Sequence, residues 1–357
     1  MQAPTCIAVL VLPAVLPAAE PAPRKLVEWG WDEPDTKFIR ENVRRMEELP
    51  FDGFVFHVEV RRGGRKVNLS WEAFGKERFA PEDFREALAD LKATEFRRLT
   101  DRFLRVNVTP GVDWFDDAAW PAVLANAGAA AAFAREARLK GWMFDVEDYG
   151  TYVFRYDSRK DAATRSFAEC RARARERGKA LIAPIVEKYP DITLFLTLGW
   201  SLSSPDASEK DRKDSRYGLL ADFLDGMVEG CAPATRFVDG WEPAYPFKRP
   251  EQFEDAWRTT HEKGPRWSAA PEAYRRHVEA GFGLWMDYDW RKKGWDAKDP
   301  SRNFFAPAAF EASVRAALAR SDGYVWIYTE KPRWWTGEEL PAAYVEAVRK
   351  ARPSGGR

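Results

Sequence analysis

Residues 141–150 read GWMFDVEDYG. A small and strongly apolar run, 141–144, passes within a few positions into three carboxylates, Asp145, Glu147 and Asp148. A core strand fraying into solvent has this pattern, and so does a strand that carries acids to the floor of a functional cleft. Side chains of a strand alternate between its two faces. With Trp142, Phe144 and Val146 on one face, Met143, Asp145 and Glu147 share the other, so one face is wholly apolar and its opposite turns acidic towards the C-terminal end.

The same kind of run recurs along the chain. KLVEWGW (25–31), GFVFHVEV (53–60), FLRVNVTPG (103–111), GWMFDVE (141–147), TLFLTLGW (193–200), RFVDGW (236–241), FGLWMDYDW (282–290) and GYVWIYTE (323–330) are strand-like. Helix-period stretches separate and follow them, among them TKFIRENVRRMEEL, AVLANAGAAAAFAREARLK, ATRSFAECRARARERGKALIAPIVEKY and PAAYVEAVRKA. Eight strand–helix units predict an α/β chain folded as a (β/α)8 TIM barrel with long βα loops, in one domain over 24–353. An open doubly wound sheet is the competing arrangement. It requires a Gly-rich phosphate turn after the first strand, and WGWDEPDT is not one. Residues 1–23 carry no Lys or Arg and include the apolar stretch TCIAVLVLPAVLPAA. They read as a cleaved secretory signal, which places the mature chain in a secreted or periplasmic setting, free of the membrane. Residues 354–357 read as a disordered tail.

In a barrel, the apolar face of each strand meets the helices and the other face points inward. By that criterion Asp145 and Glu147 point in from the fourth strand, and Trp326, Tyr328 and Glu330 from the eighth. Trp285, Asp287 and Asp289 point in from the seventh, His57 and Glu59 from the second, Asn107 from the third. Thr197 points in from the fifth strand, with Trp200 at its end, and the first sends Glu28 and Asp32 inward. On the sixth strand Asp239 and Trp241 share one face and Glu242 takes the other, and the pattern does not choose between them. These polar residues gather at the C-terminal ends of the strands, where barrel enzymes build their sites.

Composition narrows the chemistry. Lys plus Arg equals Asp plus Glu at 56 each, so no net field favours nucleic acid or an anionic membrane. Three histidines, two of them on helical segments, are too few and too dispersed for a hydrolytic zinc site, and no metal or other cofactor is assigned. Cys170 and Cys231 fall in helical segments, as buried thiols or as a disulfide. The sixteen Trp residues stand out. Indole suits cores and sugar faces alike, and core packing is the ordinary explanation for any single one. Trp71 and Phe74 belong to a long excursion, 60–95, that walls the cleft. Arg291, Lys292 and Lys293 form a basic loop suited to solvent or to an acidic sugar, and Trp334 and Trp335 border the same side.

Several converging carboxylates with few cations repel one another unless they share protons or hold a metal. Paired carboxylates lined with aromatic rings match the needs of glycoside hydrolysis. FDVE at the fourth strand and YVWIYTE at the eighth make the chain resemble the barrel glycoside hydrolases, with a loose likeness to the chitinase type. That resemblance implies a carbohydrate substrate, Glu147 as general acid, Asp145 orienting a substrate acetamido group and Trp326 flooring the pocket. The longer Asp-x-x-Asp-x-Asp-x-Glu pattern is absent, since Gly141 and Met143 occupy the upstream positions. The partner of Glu147 is therefore expected across the barrel, from Asp287, Asp289 or Asp239, with Glu28, Asp32, His57, Asn107, Trp200, Trp241, Trp285, Trp326, Tyr328 and Glu330 as substrate contacts. A barrel that binds glycan without cleaving it, and a metal-dependent carbohydrate lyase or isomerase, are the alternatives.

Overall fold

The computed structural model describes residues 24–62, 64–150, 152–159, 161–203 and 208–352. The expected signal segment with Cys6, and the expected tail, lie outside the described residues. The main strands are β1 (Lys25–Gly30), β2 (Gly53–Phe56), β3 (Asp101–Asn107), β4 (Gly141–Asp145), β5 (Thr193–Leu196), β6 (Arg236–Asp239), β7 in two pieces (Val278–Ala280 and Phe282–Trp285) and β8 (Tyr324–Thr329). All neighbouring pairs among them are parallel. The hydrogen-bonded order runs from Phe282–Trp285 through β8, β1, β2, β3, β4, β5 and β6 to Val278–Ala280. The two ends of that order are consecutive in sequence, parted by Gly281 alone, so the sheet closes on itself as an eight-staved barrel. The open doubly wound alternative has no such closure.

One principal helix follows each strand: α1 (Thr36–Met46), α2 (Arg85–Ala93), α3 (Trp120–Glu136), α4 (Phe167–Lys188), α5 (Leu220–Gly230), α6 (Pro250–Arg258), α7 (Pro307–Arg320) and α8 (Ala342–Ala351). Their starts follow local chemistry. The Asp35 carboxylate accepts the Phe38 N–H at 2.7 Å to cap α1, and Ser166 with Glu169 forms a reciprocal capping box that starts α4. In α1 the buried residues Thr36, Ile39, Val43 and Met46 recur at helical spacing and lay one stripe on the sheet.

The two faces of the sheet feed separate cores. Leu26, Phe54, Phe56, Leu104, Val106, Trp142, Phe144, Leu194, Phe237, Leu284, Val325 and Ile327 pack outward against the helices. Inside the barrel, Val27, Trp29, Val55, Phe103, Met143, Phe195, Val238, Tyr324 and Trp326 fill the interior. Tyr324 donates its hydroxyl to Asp101 at 2.6 Å towards the N-terminal end. Towards the other end Trp326 spans the interior, its Nε1 donating to the Gly240 carbonyl at 2.8 Å and its ring centroid 5.1 Å from Trp29 and 5.4 Å from Tyr245. Gly283 makes room for it, since a Cβ there would lie 2.7 Å from the Trp326 ring. Cys170 and Cys231 are both free thiols.

Trp326 is fully buried. Trp326→Ala removes a core side chain with no substrate-facing surface, so the expected cost is about 3–5 kcal/mol of folding stability. Chemical denaturation measures it, and an unchanged midpoint would mean that the indole does not hold the barrel together.

Candidate active site

At the C-terminal end of the strands the barrel opens into a cavity of about 590 Å3. Seven aromatic residues line it, Trp29, Trp31, Trp71, Tyr149, Tyr245, Trp285 and Tyr328. Its polar groups are Glu33, His57, Asn68, Arg105, Glu147, Glu242, Arg291 and Glu330.

A buried guanidinium organises one side. Arg105, inward from β3, donates through Nη2 to Asp145 Oδ2 at 2.9 Å and through Nε to Asn107 at 2.9 Å, and it lies 3.4 Å from Glu33. Burial opposes its charge, but Glu33 and Asp145 outweigh burial and hold it firmly protonated. Glu33 also accepts Trp29 Nε1 at 2.8 Å and pairs with His57 Nδ1 at 3.1 Å. Burial favours its neutral form, yet Arg105 and His57 together keep it below the usual carboxylate range. The imidazole responds in the opposite sense. Burial disfavours its charge, and Glu33 more than compensates, so the His57 pKa rises.

Across the cavity Arg291 makes a two-point pair with Glu330 at 2.6 and 3.0 Å, and Trp290 Nε1 donates to the same carboxylate at 2.6 Å. Tyr328 donates to Glu330 at 3.1 Å.

Two carboxyls stand apart from these arrangements. Glu147 follows β4. Burial first, then the charges of Asp145 and Glu242, push its pKa well above the ordinary value. The Tyr149 hydroxyl lies 2.8 Å from Asp145 and 3.3 Å from Glu147, bridging the two acids. Glu242 follows β6. Its pKa is pushed up to about 8 by burial, then by Asp145, and its buried Oε2 has no hydrogen-bond partner among the described residues.

The backbone that presents Glu242 is an elbow, 239–242. Asp239 Oδ1 accepts the Trp241 N–H, Gly240 N–H donates to Leu196 and Gly240 C=O accepts Trp326. A Cβ at Gly240 would collide with the Leu196 carbonyl. Trp241 follows in the left-handed region at φ 43°, which bulky residues rarely adopt, with its indole Nε1 bonded to Thr260 Oγ1 at 2.7 Å. The in/out parity of the strand survives this turn: Asp239 and Trp241 lie on the helix side and Glu242 enters the cavity.

The structure therefore regroups the expected residues. His57, Glu147, Trp285, Tyr328 and Glu330 line the cavity. Asp145 and Asn107 lie beneath it, fully buried against Arg105, so Asp145 is not placed to touch an acetamido group. Trp326 is likewise under the floor rather than the floor itself.

Glu28 and Asp32 are corrected outright. Val27 and Trp29 take the inward face of β1, which sends Glu28 to the helix side beside Asp32, where Asp32 accepts the Trp335 N–H. Asp239 sits on the helix side of β6, raised to about 7 by burial. Asp287 and Asp289 follow the end of β7 at Trp285, so strand alternation no longer governs them. Asp287 instead accepts the backbone N–H groups of Glu330 and Lys331, and Asp289 pairs with Lys292 and Lys293.

Trp200 lies in a short 3-10 turn, buried on the helix side and bonded to Asp225. Trp241 packs outward on Thr260. Trp334 and Trp335 are buried against Phe51, and Glu59 pairs with Lys66 in the hairpin Glu59–Arg62 and Arg65–Asn68. Trp71 lines the cavity, while Phe74 packs on Phe144.

Sequence reasoning missed Trp29, Trp31, Glu33, Arg105, Tyr149 and Tyr245 and left Glu242 undecided. The signal that was present is Gly-Trp-Glu directly after a strand, since glycine there marks a sharp change of direction. Among the described residues no three His, Cys, Asp or Glu side chains converge to hold a metal ion.

No family model matches the chain, and no curated protein matches it either. Among solved structures it is similar to a GH5-4 broad specificity endoglucanase from Bacteroides salanitronis, at 12% identity over 91% of this chain and 87% of that one, with a TM-score of 0.46. A Bacteroidetes-affiliated GH5 cellulase matches at 10% identity over 92% of each chain, with a TM-score of 0.47. The 3-keto-D-glucoside 4-epimerase YcjR from E. coli matches at 16% identity over 92% of this chain and 99% of that one, with a TM-score of 0.44. Likenesses this distant assign no chemistry to the cavity.

The raised pKa of Glu242 carries a stability consequence. Below the ordinary glutamate pKa both folded and unfolded chains hold the proton. Between that value and about 8 only the folded chain does, so stability falls as pH rises through the window. Glutamine cannot ionise. Glu242→Gln is expected to raise the melting temperature relative to the parent at about pH 8, and to do so far less at about pH 4. Thermal unfolding followed by circular dichroism at the two pH values checks it, and an equal difference at both would contradict the assignment.

Proposed function

We propose that this chain is a glycoside hydrolase whose catalytic carboxyls are Glu147 and Glu242. The observation that carries the reading is the meeting of these two acids, from the ends of β4 and β6, in one aromatic-walled cavity. Burial holds each towards its neutral form, and among the described residues no basic side chain is bonded to either. Two acids that resist joint ionisation lose their protons in separate steps, so once Glu242 ionises, at about pH 8, an acid and a carboxylate stand in the same pocket.

Glu147 keeps the proton, because Asp145 and Glu242 both lie close enough to oppose its charge. It protonates the leaving glycosidic oxygen. Glu242 ionises first and faces the anomeric carbon, either attacking it or activating water. Tyr149, bridging Asp145 and Glu147, holds the acid in place and can follow its charge through the cycle. The aromatic walls cover the C–H faces of a sugar ring and exclude water from the oxocarbenium-like centre. The apolar segment at 1–23 supports export of the enzyme to a secreted or periplasmic location.

Glu147→Gln and Glu242→Gln are each expected to leave the fold intact and to lower kcat by roughly 10²–10⁴ on the glycan identified by a substrate panel. Near-normal turnover by either variant would remove that residue from the pair. A 2-fluoro sugar of matching type is expected to label Glu242 if the enzyme retains configuration, and an adduct on Asp145, Asp239, Asp287 or Asp289 would overturn the assignment.

A further inference from the structure

We propose that the site takes an uncharged oligosaccharide longer than the cavity, with its outer sugar units stacked on Trp31 and Trp71 on the rim of the mouth. The inference rests on the carbohydrate reading above and extends it to chain length and charge.

Among the described residues the large apolar side chains left exposed are Trp31 at 55%, Trp71 at 37%, Tyr149 at 41% and Tyr152 at 44%. Three of the four line the cavity. Eight of the sixteen indoles are buried and six more are half-buried, so full exposure confined to Trp31 and Trp71 on one rim marks a contact surface rather than incomplete packing.

Both indoles are held by neighbours. Trp31 donates Nε1 to the Tyr328 hydroxyl at 2.8 Å, and its ring meets the edge of Trp290 at 6.5 Å. Trp71 packs edge-on to Tyr149 at 4.9 Å, with the Arg105 guanidinium 4.8 Å from its ring. A braced aromatic plate loses little conformational freedom when a ligand arrives, so its stacking contributes to affinity nearly undiminished.

Trp31 follows β1 and leans on Trp290 and Tyr328, while Trp71, in the excursion after the adjacent β2, leans on Tyr149 and Arg105. The two plates diverge along the rim, so a chain resting on both extends past the cavity.

The cations that line the cavity already have carboxylate partners. Arg105 is committed to Asp145 and Glu33, Arg291 to Glu330, and His57 to Glu33. A uronic acid would have to displace a buried carboxylate from its partner, and neutral hydroxyl groups need not.

The test uses the Glu147→Gln protein as the non-cleaving parent. Calorimetry measures its binding to cello-, xylo-, manno- and N-acetylchito-oligosaccharides of two and of six units, and to hexagalacturonate. For at least one neutral series the hexamer should bind about tenfold or more tighter than the dimer, and Trp31→Ala and Trp71→Ala should each cut that ratio by several-fold. Equal affinity for dimer and hexamer, or a ratio unchanged in both Trp variants, would overturn the chain-length inference while leaving the carboxyl pair standing. Hexagalacturonate as the tightest ligand would overturn the charge inference. If the parent binds none of the sugars and the native enzyme cleaves none, the carbohydrate reading itself falls and takes this inference with it.

Discussion

The arrangement of the mouth depends on the buried Arg105 guanidinium. A permanent charge with 14% of its side chain exposed is tolerable only if carboxylates and hydrogen-bond acceptors surround it, and Glu33, Asp145 and Asn107 do so. The pairing ties β3 to β4 and to the loop after β1, three elements far apart in sequence. It also decides which acids are available for chemistry. Asp145 Oδ2 is taken by Arg105 and Tyr149, and Oδ1 faces the Glu147 N–H at 3.1 Å, so Asp145 is occupied with structure. Glu147, one step further out on the same face, receives the negative field of Asp145 without a cation bonded to it.

A raised pKa alone does not mark the site. Glu28 and Asp239 are also raised by burial, and both lie behind the sheet among helix-facing residues. Glu147 and Glu242 differ in facing an open cavity whose other acids are already neutralised by Arg or His. Desolvation without a counter-charge, combined with access to a ligand, is the condition under which a carboxyl stays protonated for acid catalysis. The two requirements oppose one another in a small pocket, and the aromatic walls reconcile them by excluding water while leaving room for a sugar.

The β6 elbow shows how the barrel brings the second acid in. With Asp239 on the helix side, alternation already directs Glu242 inward, but it lies past the last paired residue of the strand. A glycine that permits close approach to β5 and a tryptophan at positive φ turn the chain abruptly there, with the indole anchored on Thr260. The last strand position, Asp239, points away and accepts the Trp241 amide, so an acid that resembles a catalytic group serves as a brace for the turn. Asp287 does similar work at the neighbouring edge, accepting backbone groups at the end of β8.

The sequence by itself determined the barrel, since apolar alternation repeated over eight strand–helix units has few other closed solutions. It also placed His57, Glu147, Trp285, Tyr328 and Glu330, because each sits on a strand face or just beyond its end while the alternation still holds. Where that regularity stops, the pattern no longer reports direction. Asp287, Asp289, Trp200 and Trp241 lie past the last paired residue of their strands, and Glu28 belongs to a strand whose two faces are both buried, so polarity could not set its phase. The partner of Glu147 was decided only by tertiary structure. Glu242 faces the cavity because Phe237 rather than Val238 packs against the helices, a phase that two apolar neighbours leave open in the sequence. The turn that holds it there is fixed by contacts among β5, β6, β8 and Thr260, which are adjacent in the folded barrel and distant along the chain.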